Sequence, residues 1–331
     1  MRDSFAPVRV AACIAALTLW PWGSAPAADP RMVAQTVPSG LVSVRVVTTA
    51  NDDVAPLLYA VKTGLFEKAG LDVQILRGPT SGAAVAAAIL GGTYDIGKSS
   101  ISTIFDAHMK GLPFTIVAPA AVYDSRSPFG GLIVAKSSPI QSGKDLSGKV
   151  VGLASLSDIT GIGTDAWTDH SGGDRHTLHY VELPMTAMAA AIDQGRIDAG
   201  EVVYPPLASA LASGKVRLIP VLTAIAPTFL LSAWIARSDW AGAHRDTVKT
   251  FNRVLTQAAA YANAHHSETA PLVSEFTATP LAIIESMPRV VNGVALRASQ
   301  VQPVIDAAAR DQTIPHAFAA QELLDADVST K

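Results

Sequence analysis

Strands that alternate with helices, a length suited to two cores, and one helix-to-strand turn used twice point to an α/β protein of two lobes. At 331 residues the chain exceeds what one ordinary core holds and suits two domains of about 100 to 200 residues each. Helices placed between successive strands act as crossovers, and these imply mostly parallel sheets covered on both faces. The repeated turn is Ala86-Ala87-Ala88-Ile89 followed by Gly92, Asp95 and Gly97. It recurs as Ala189-Ala190-Ala191-Ile192 followed by Gly195, Asp198 and Gly200, every pair 103 residues apart. Each copy reads as the end of an Ala-rich helix, a glycine suited to a left-handed stop, an Asp in the turn and a short strand. One βαβ unit per lobe explains the echo; chance similarity of two common turns is the alternative.

In chain order, Val42–Thr49 is a β-branched run that reads as a strand bounded by Asn51-Asp52-Asp53. Val54–Ala69 has helical spacing, with Gly70 as its stop. Leu71–Leu76 is the next strand, Ser81–Leu90 a helix, Tyr94–Gly97 a short buried strand, Ile101–Lys110 a helix and Phe114–Val122 a strand. A second series follows Gly130-Gly131. Strands are expected at Leu132–Ala135 and Val150–Ala154, a helix at Asp158–His170, a strand at Thr177–Glu182, a helix at Thr186–Gln194 and a short strand at Gly200–Tyr204. Leu207–Ala212 reads as a helix, and Val216–Leu222 and Phe229–Ala236 as strands. From Ala243 the pattern is helical, so the chain is expected to end in helices rather than a third sheet.

Composition narrows the class of function. Apolar residues make up 49% and charged ones 16%, enough to build a packed core and too little charge for a disordered chain. Net charge is -3 with no long basic run and few aromatic residues, which argues against nucleic acid as a partner. At the N-terminus Arg2 and Arg9 supply positive charge, Val10–Trp20 is apolar except for Thr18, and Ala25-Pro26-Ala27 is a small-x-small pattern. These are the parts of a secretory signal peptide, with cleavage expected after Ala27. The apolar run is too short for a membrane-spanning helix, so a mature protein outside the cytoplasmic membrane is expected. Cys13, the only cysteine, lies inside the run; a lipid-attachment box would follow the apolar stretch, whereas Val10-Ala11-Ala12-Cys13 begins it. The mature chain therefore has no disulfide and no thiolate chemistry. The histidines form no metal site: His176 and His179 face opposite sides of a strand, and His265 and His266 point in adjacent helical directions.

Tyr59–Gly70 (YAVKTGLFEKAG) with the following LDVQIL, GGTYDIG at Gly91–Gly97, DLSGKVVGL from Asp145 and AAAIDQGRIDAGEV from Ala189 resemble one family. These motifs are similar to the ABC-importer binding proteins for taurine, alkanesulfonates, nitrate and pyrimidine precursors of thiamine, and the likeness runs from about Val42 to Trp240. The resemblance implies a two-lobe periplasmic-binding-protein fold, type II-like, with each lobe a mostly parallel sheet flanked by helices and two hinge crossovers. On that basis residues 1–27 are the signal peptide and 28–40 a flexible leader. Residues 41–126 and 237–331 form lobe 1, and 127–236 form lobe 2. The crossovers are expected near Arg126–Gly131 and Ala233–Arg237. The implied function is capture of a small organic solute, expected to be a sulfonate-like or carboxylate-like anion, and its delivery to an ABC permease and its ATPase in the periplasm. A monomer without cofactor, metal or catalytic residues is expected.

Ligands of open α/β sheets sit beyond the carboxyl ends of strands, near helix N-termini. That rule nominates Thr49, Asn51, Thr80, Ser81, Ser99, Ser100 and Tyr123 in the first lobe, and Ser157, Asp158, Thr160, Glu201 and Tyr204 in the second. Their hydroxyl, amide and carboxyl groups suit contact with a polar solute; the alternative for each Ser, Thr and Asp is helix capping. Tyr123 and Tyr204 either stack on a planar ligand or border the core. Lys98 and Arg126 either neutralise an anion or sit as an exposed loop residue and a hinge residue, respectively.

Two enzyme readings compete. Gly161-Ile162-Gly163-Thr164-Asp165-Ala166 matches the dinucleotide fingerprint G-x-G-x-x-A, with Glu182 following at a strand end. The fingerprint should start directly after its strand, whereas Gly161 comes seven residues after Ala154. The resemblance also extends to enzymes of thiamine-pyrimidine and menaquinone synthesis on the same fold. The cysteine-rich motif of the pyrimidine enzymes has no counterpart here, but fold analogy alone does not exclude catalysis.

Overall fold

The computed structural model of the protein describes residues 40–77, 82–156 and 158–330. The signal peptide, nearly all of the leader, and three nominated residues, Thr80, Ser81 and Ser157, lie outside the described residues. The chain opens with β1 (Val42–Thr48), whose Val44, Val46 and Val47 are buried. The run Val54–Ala69 is two helices, α1 (Ala55–Lys62) and α2 (Leu65–Lys68). Gly64, at φ 67°, breaks it in a conformation that glycine adopts without strain. There follow β2 (Leu71–Arg77), α3 (Gly82–Leu90), β3 (Ile96–Ser100), α4 (Ile101–Met109) and β4 (Phe114–Pro119). The expected strand Phe114–Val122 ends early, and β5 (Ala121–Asp124) pairs elsewhere.

The second series is β6 (Gly130–Ala135), a helical turn α5 (Gly143–Leu146), β7 (Val150–Leu153), α6 (Ile159–His170), β8 (His179–Glu182), α7 (Met185–Asp193), β9 (Ala199–Val203), α8 (Pro206–Ala212) and β10 (Val216–Ile219). A short 3-10 helix, Val221–Ala224, closes it. The expected strand Phe229–Ala236 is two strands, β11 (Thr228–Leu230) and β12 (Ser232–Arg237). The C-terminal part holds α9 (Ser238–Ala243), α10 (Arg245–Ala264), α11 (His266–Thr277), α12 (Leu281–Ser286), β13 (Val291–Asn292) and α13 (Ala298–Arg310).

Two five-stranded sheets result, in the orders β2-β1-β3-β12-β4 and β8-β7-β9-β6-β10. Each is parallel except for one strand, β12 or β6, which is antiparallel to its neighbours. That strand is the first to enter each sheet after a crossover, so the two lobes share one wiring. Because Ser232–Arg237 pairs with β3 and β4, the second return runs ahead of β12, and residues 232–236 belong to the first sheet rather than to lobe 2. The expectation of a purely helical end also needs correction: Val291 pairs with Val122 in a third, three-stranded sheet, β11-β5-β13. Two residues are too few for a periodic signal, so the sequence did not reveal this strand.

The tail packs on the lobe that begins at Val42. In α10, Val248, Phe251, Val254, Leu255 and Ala258 are buried, the spacing of an amphipathic helix with one face on a core. Phe251 stacks on Phe66 of α2 at 5.4 Å between ring centroids and meets Trp234 edge-on. Full burial of a Phe contributes about 1.5–3 kcal/mol. Ile159, Ile162 and Leu222 from the second series join the same core. The two sheets are therefore tied by packing as well as by covalent crossovers.

Candidate functional site

The carboxyl ends of strands from both sheets converge on a cavity of about 120 Å³. The first lobe contributes Asn51, Asp52, Asp53, Ser100 and Ser232. The second contributes Asp158, Thr160, Met185, Glu201 and Leu222. Met185 also borders a wider groove of about 610 Å³ between α7, α8 and the 277–283 segment.

On the first-lobe side, Asp52 and Asp53 follow β1 and are buried. Arg289 donates from Nε to Asp52 Oδ1 at 2.6 Å, and the Val290 N–H donates to Oδ2 at 2.9 Å. Burial still holds the Asp52 carboxyl above the usual carboxylate range, against the lowering effect of Arg289. Lys98, in the middle of β3 and 2% exposed, reaches Asp53 Oδ1. Ser232 Oγ donates to Asp53 Oδ2 at 2.7 Å. Ser100 caps α4 by accepting the Thr103 N–H at 3.4 Å while lining the cavity. Capping and a place at the cavity are thus compatible.

Across the cavity Asp158 caps α6, accepting the Thr160 N–H at 3.1 Å. Glu201, 1% exposed on β9, accepts the Ala154 N–H at 2.7 Å and the Thr160 hydroxyl at 3.0 Å. Its carboxyl neighbours that of Asp158. Burial, with the neighbouring Asp158 charge, pushes Glu201 well above the carboxylate range; burial raises Asp158 as well.

Of the nominated residues, Asn51, Ser100, Asp158, Thr160 and Glu201 line this cavity. Thr49, Ser99, Tyr123 and Tyr204 do not. Ser99 is buried inside β3, because alternate strand residues face opposite sides. Tyr123 stacks on Phe229 at 4.9 Å in the core, where burial and Asp124 raise its hydroxyl to about 12. Tyr204 packs against a small cluster that includes Ala55, Ala262 and Ala270. Arg126 is exposed and bonded to Asp124 at 2.6 Å. Lys98 is not a loop lysine but a buried counter-ion.

The family described as NMT1/THI5 like matches residues 51–269. The chain belongs to the NMT1/THI5-like family. Among known proteins it is similar to the 4-amino-5-hydroxymethyl-2-methylpyrimidine phosphate synthase of Schizosaccharomyces pombe, 30% identical over 145 residues, or 44% of this chain and 40% of the relative. The match thus spans less than half the length of that relative. In structure it is similar to the periplasmic aliphatic sulphonate binding protein SsuA from Escherichia coli, with TM-score 0.70 and 18% identity over 86% of this chain and 97% of that one. The periplasmic nitrate-binding protein NrtA from Synechocystis PCC 6803 gives 0.70 and 14% over 87% and 86%. These likenesses show the periplasmic-binding-protein fold.

In this NMT1/THI5-like chain the fingerprint-like glycines serve packing. Gly161 and Gly163 lie within α6 rather than at a strand-to-helix turn. A Cβ on Gly163 would stand 2.8 Å from Leu222 Cδ2 and 3.2 Å from its Cα, so glycine is what lets α6 approach Val221–Ala224. Asp52, Asp53 and Ser232 were absent from the sequence-based candidates. The two Asp were read as a bounding turn, although their place just beyond β1 is the signal that finds them. Ser232 was hidden inside a run read as one strand, and Val290 carries no local signal.

Proposed function

We propose that this chain is the extracytoplasmic solute-binding protein of an ABC importer, holding a small polar solute between its lobes and presenting it to the permease and, through it, the ATPase. The observation that carries this reading is the cavity itself, lined from both lobes at strand carboxyl ends, where this fold places ligands. A solute that touches Ser100 on one side and Thr160 on the other completes its hydrogen bonds only when the lobes are together, so binding favours the closed arrangement. The permease then reads loaded from empty protein by lobe position, with a single copy of the chain sufficient.

The reading is one of binding rather than catalysis because the cationic groups behind the cavity wall are held by structural partners: Lys98 by Asp53 and Arg289 by Asp52. The stretch shared with the fungal synthase supports the alternative of an enzyme on the same fold. An organic anion of sulfonate or carboxylate type is the solute expected from sequence; the likeness to a sulphonate-binding protein supports it, and that to a nitrate-binding protein supports an anion in general. The lining of this cavity favours a different class, argued below.

Cell fractionation and a thermal-shift screen of sulfonates, nitrate, pyrimidines and aromatic acids test the reading. Release with the periplasm, and a solute whose protection is lost in the cavity-filling variant Val203→Phe, support it. A solute at about 100 times its dissociation constant adds about 2.7 kcal/mol to stability. Retention in the cytoplasm, or protection indifferent to Val203→Phe, contradicts it.

A further inference from the structure

The charge balance of the cavity is one-sided. Among the described residues that line it, four are carboxylic acids, Asp52, Asp53, Asp158 and Glu201, and none is basic. On the first-lobe side each acid has its own cation behind the wall, Arg289 for Asp52 and Lys98 for Asp53. Those cations are consumed: each is nearly fully buried with its partner. On the second-lobe side Asp158 and Glu201 take part in no ion pair among the described residues. What they receive instead are neutral donors, the Ala154 and Thr160 N–H groups and the Thr160 hydroxyl. Glu182 on the adjoining strand is turned to the Leu156 N–H at 3.0 Å and adds no compensation.

An anion entering this cavity would lose its hydration opposite four carboxyl groups and meet no free cation. A protonated nitrogen would lose its hydration as well but gain charge-assisted hydrogen bonds to carboxylate oxygens. Resting on the reading of the chain as a solute-binding protein, we propose that the cavity selects an organic cation whose N–H groups lie against Asp158 and Glu201. Asn51, Ser100 and Ser232 then face the rest of the solute with neutral polar groups, and Phe129, Ile159 and Leu222 with apolar ones. Burial raises both carboxyls, so affinity for the cation rises with pH as they ionise.

Matched pairs of opposite charge test this: acetamidinium against acetate, and benzamidinium against benzoate, each pair nearly the same in shape. Thermal protection and calorimetry are measured on the wild type, Glu201→Gln, Asp158→Asn and Val203→Phe. The expected result is protection by an amidinium and not by its carboxylate, at least tenfold weaker binding in Glu201→Gln or Asp158→Asn, and amidinium affinity that rises with pH. Protection by the carboxylates, absence of protection by both cations, or unchanged affinity in both acid-to-amide variants overturns the proposed class. Binding of any of the four that Val203→Phe leaves intact instead overturns the cavity as the site.

Discussion

Asp95 and Asp198, 103 residues apart, hold the same place in the two sheets. Asp95 accepts the Arg45 N–H of β1 at 2.8 Å, and Asp198 accepts the Val150 N–H of β7 at 2.9 Å. Each also returns its own N–H to the same residue's carbonyl, at 2.9 and 2.8 Å. Each Asp thereby pins the start of its lobe's central strand to the strand beside it. Asp198→Ala leaves the Val150 N–H without its side-chain partner and should cost about 1–2 kcal/mol. Asp95→Ala should cost a similar amount, since its added contacts to the partly exposed Arg45 guanidinium contribute little. Urea unfolding of both variants measures this, and an unchanged midpoint in either would remove the shared role.

That echo shows what the sequence made legible. A glycine stop, an Asp and a strand end lie within a dozen residues, so local chemistry betrayed both copies, and the positions of β1 to β4 and β6 to β10 followed from alternation. Pairing over long range did not show. The split of 229–236 into strands of two different sheets depends on partners far away in sequence, β5 for β11 and β3 and β4 for β12, and β13 pairs with β5 alone among the described strands. Candidate residues at helix starts, Ser100, Asp158 and Thr160, were visible because capping chemistry marks them. Arg289 reaches Asp52 across 237 residues, and no local pattern announces such a contact.

Lys98 and Asp53 are a buried ion pair, 2% and 7% exposed at the side chain. Removing one partner of such a pair strands the other charge, at a cost of about 3–5 kcal/mol. Asp53→Asn should therefore lower stability by that order in denaturant unfolding, and Lys98→Met added to it should restore at least half. A double variant no better than the single would show that Lys98 is not the charge left stranded.

Asp165 accepts the Tyr180 hydroxyl at 2.5 Å, and burial raises its carboxyl to about 6. A carboxyl raised above its unfolded value of about 3.9 binds its proton more tightly in the folded state. Its contribution to stability is present below about pH 4 and is lost as pH climbs through 6. Asp165→Asn should flatten the stability profile between pH 4 and 6 and raise stability at pH 7 relative to the wild type. Equal slopes in the two proteins, followed by urea midpoints, would contradict the assignment.

Gly163→Ala separates packing from dinucleotide chemistry. The added methyl meets both the side chain and the main chain of Leu222, and overpacking of this kind costs about 1–3 kcal/mol. The expected outcome is a lower melting temperature for the variant, with NAD protecting neither it nor the wild type. Protection of the wild type by NAD would return the fingerprint to functional use.

The central claim is that a solute is enclosed between the lobes, and small-angle scattering of the mature protein with and without a saturating solute from the screens tests it most directly. The expected result is a smaller radius of gyration on saturation, with the change following the binding isotherm and shifting to higher solute concentration in Thr160→Ala. A radius of gyration that stays constant through full saturation, with normal affinity in Thr160→Ala, would contradict closure around the solute.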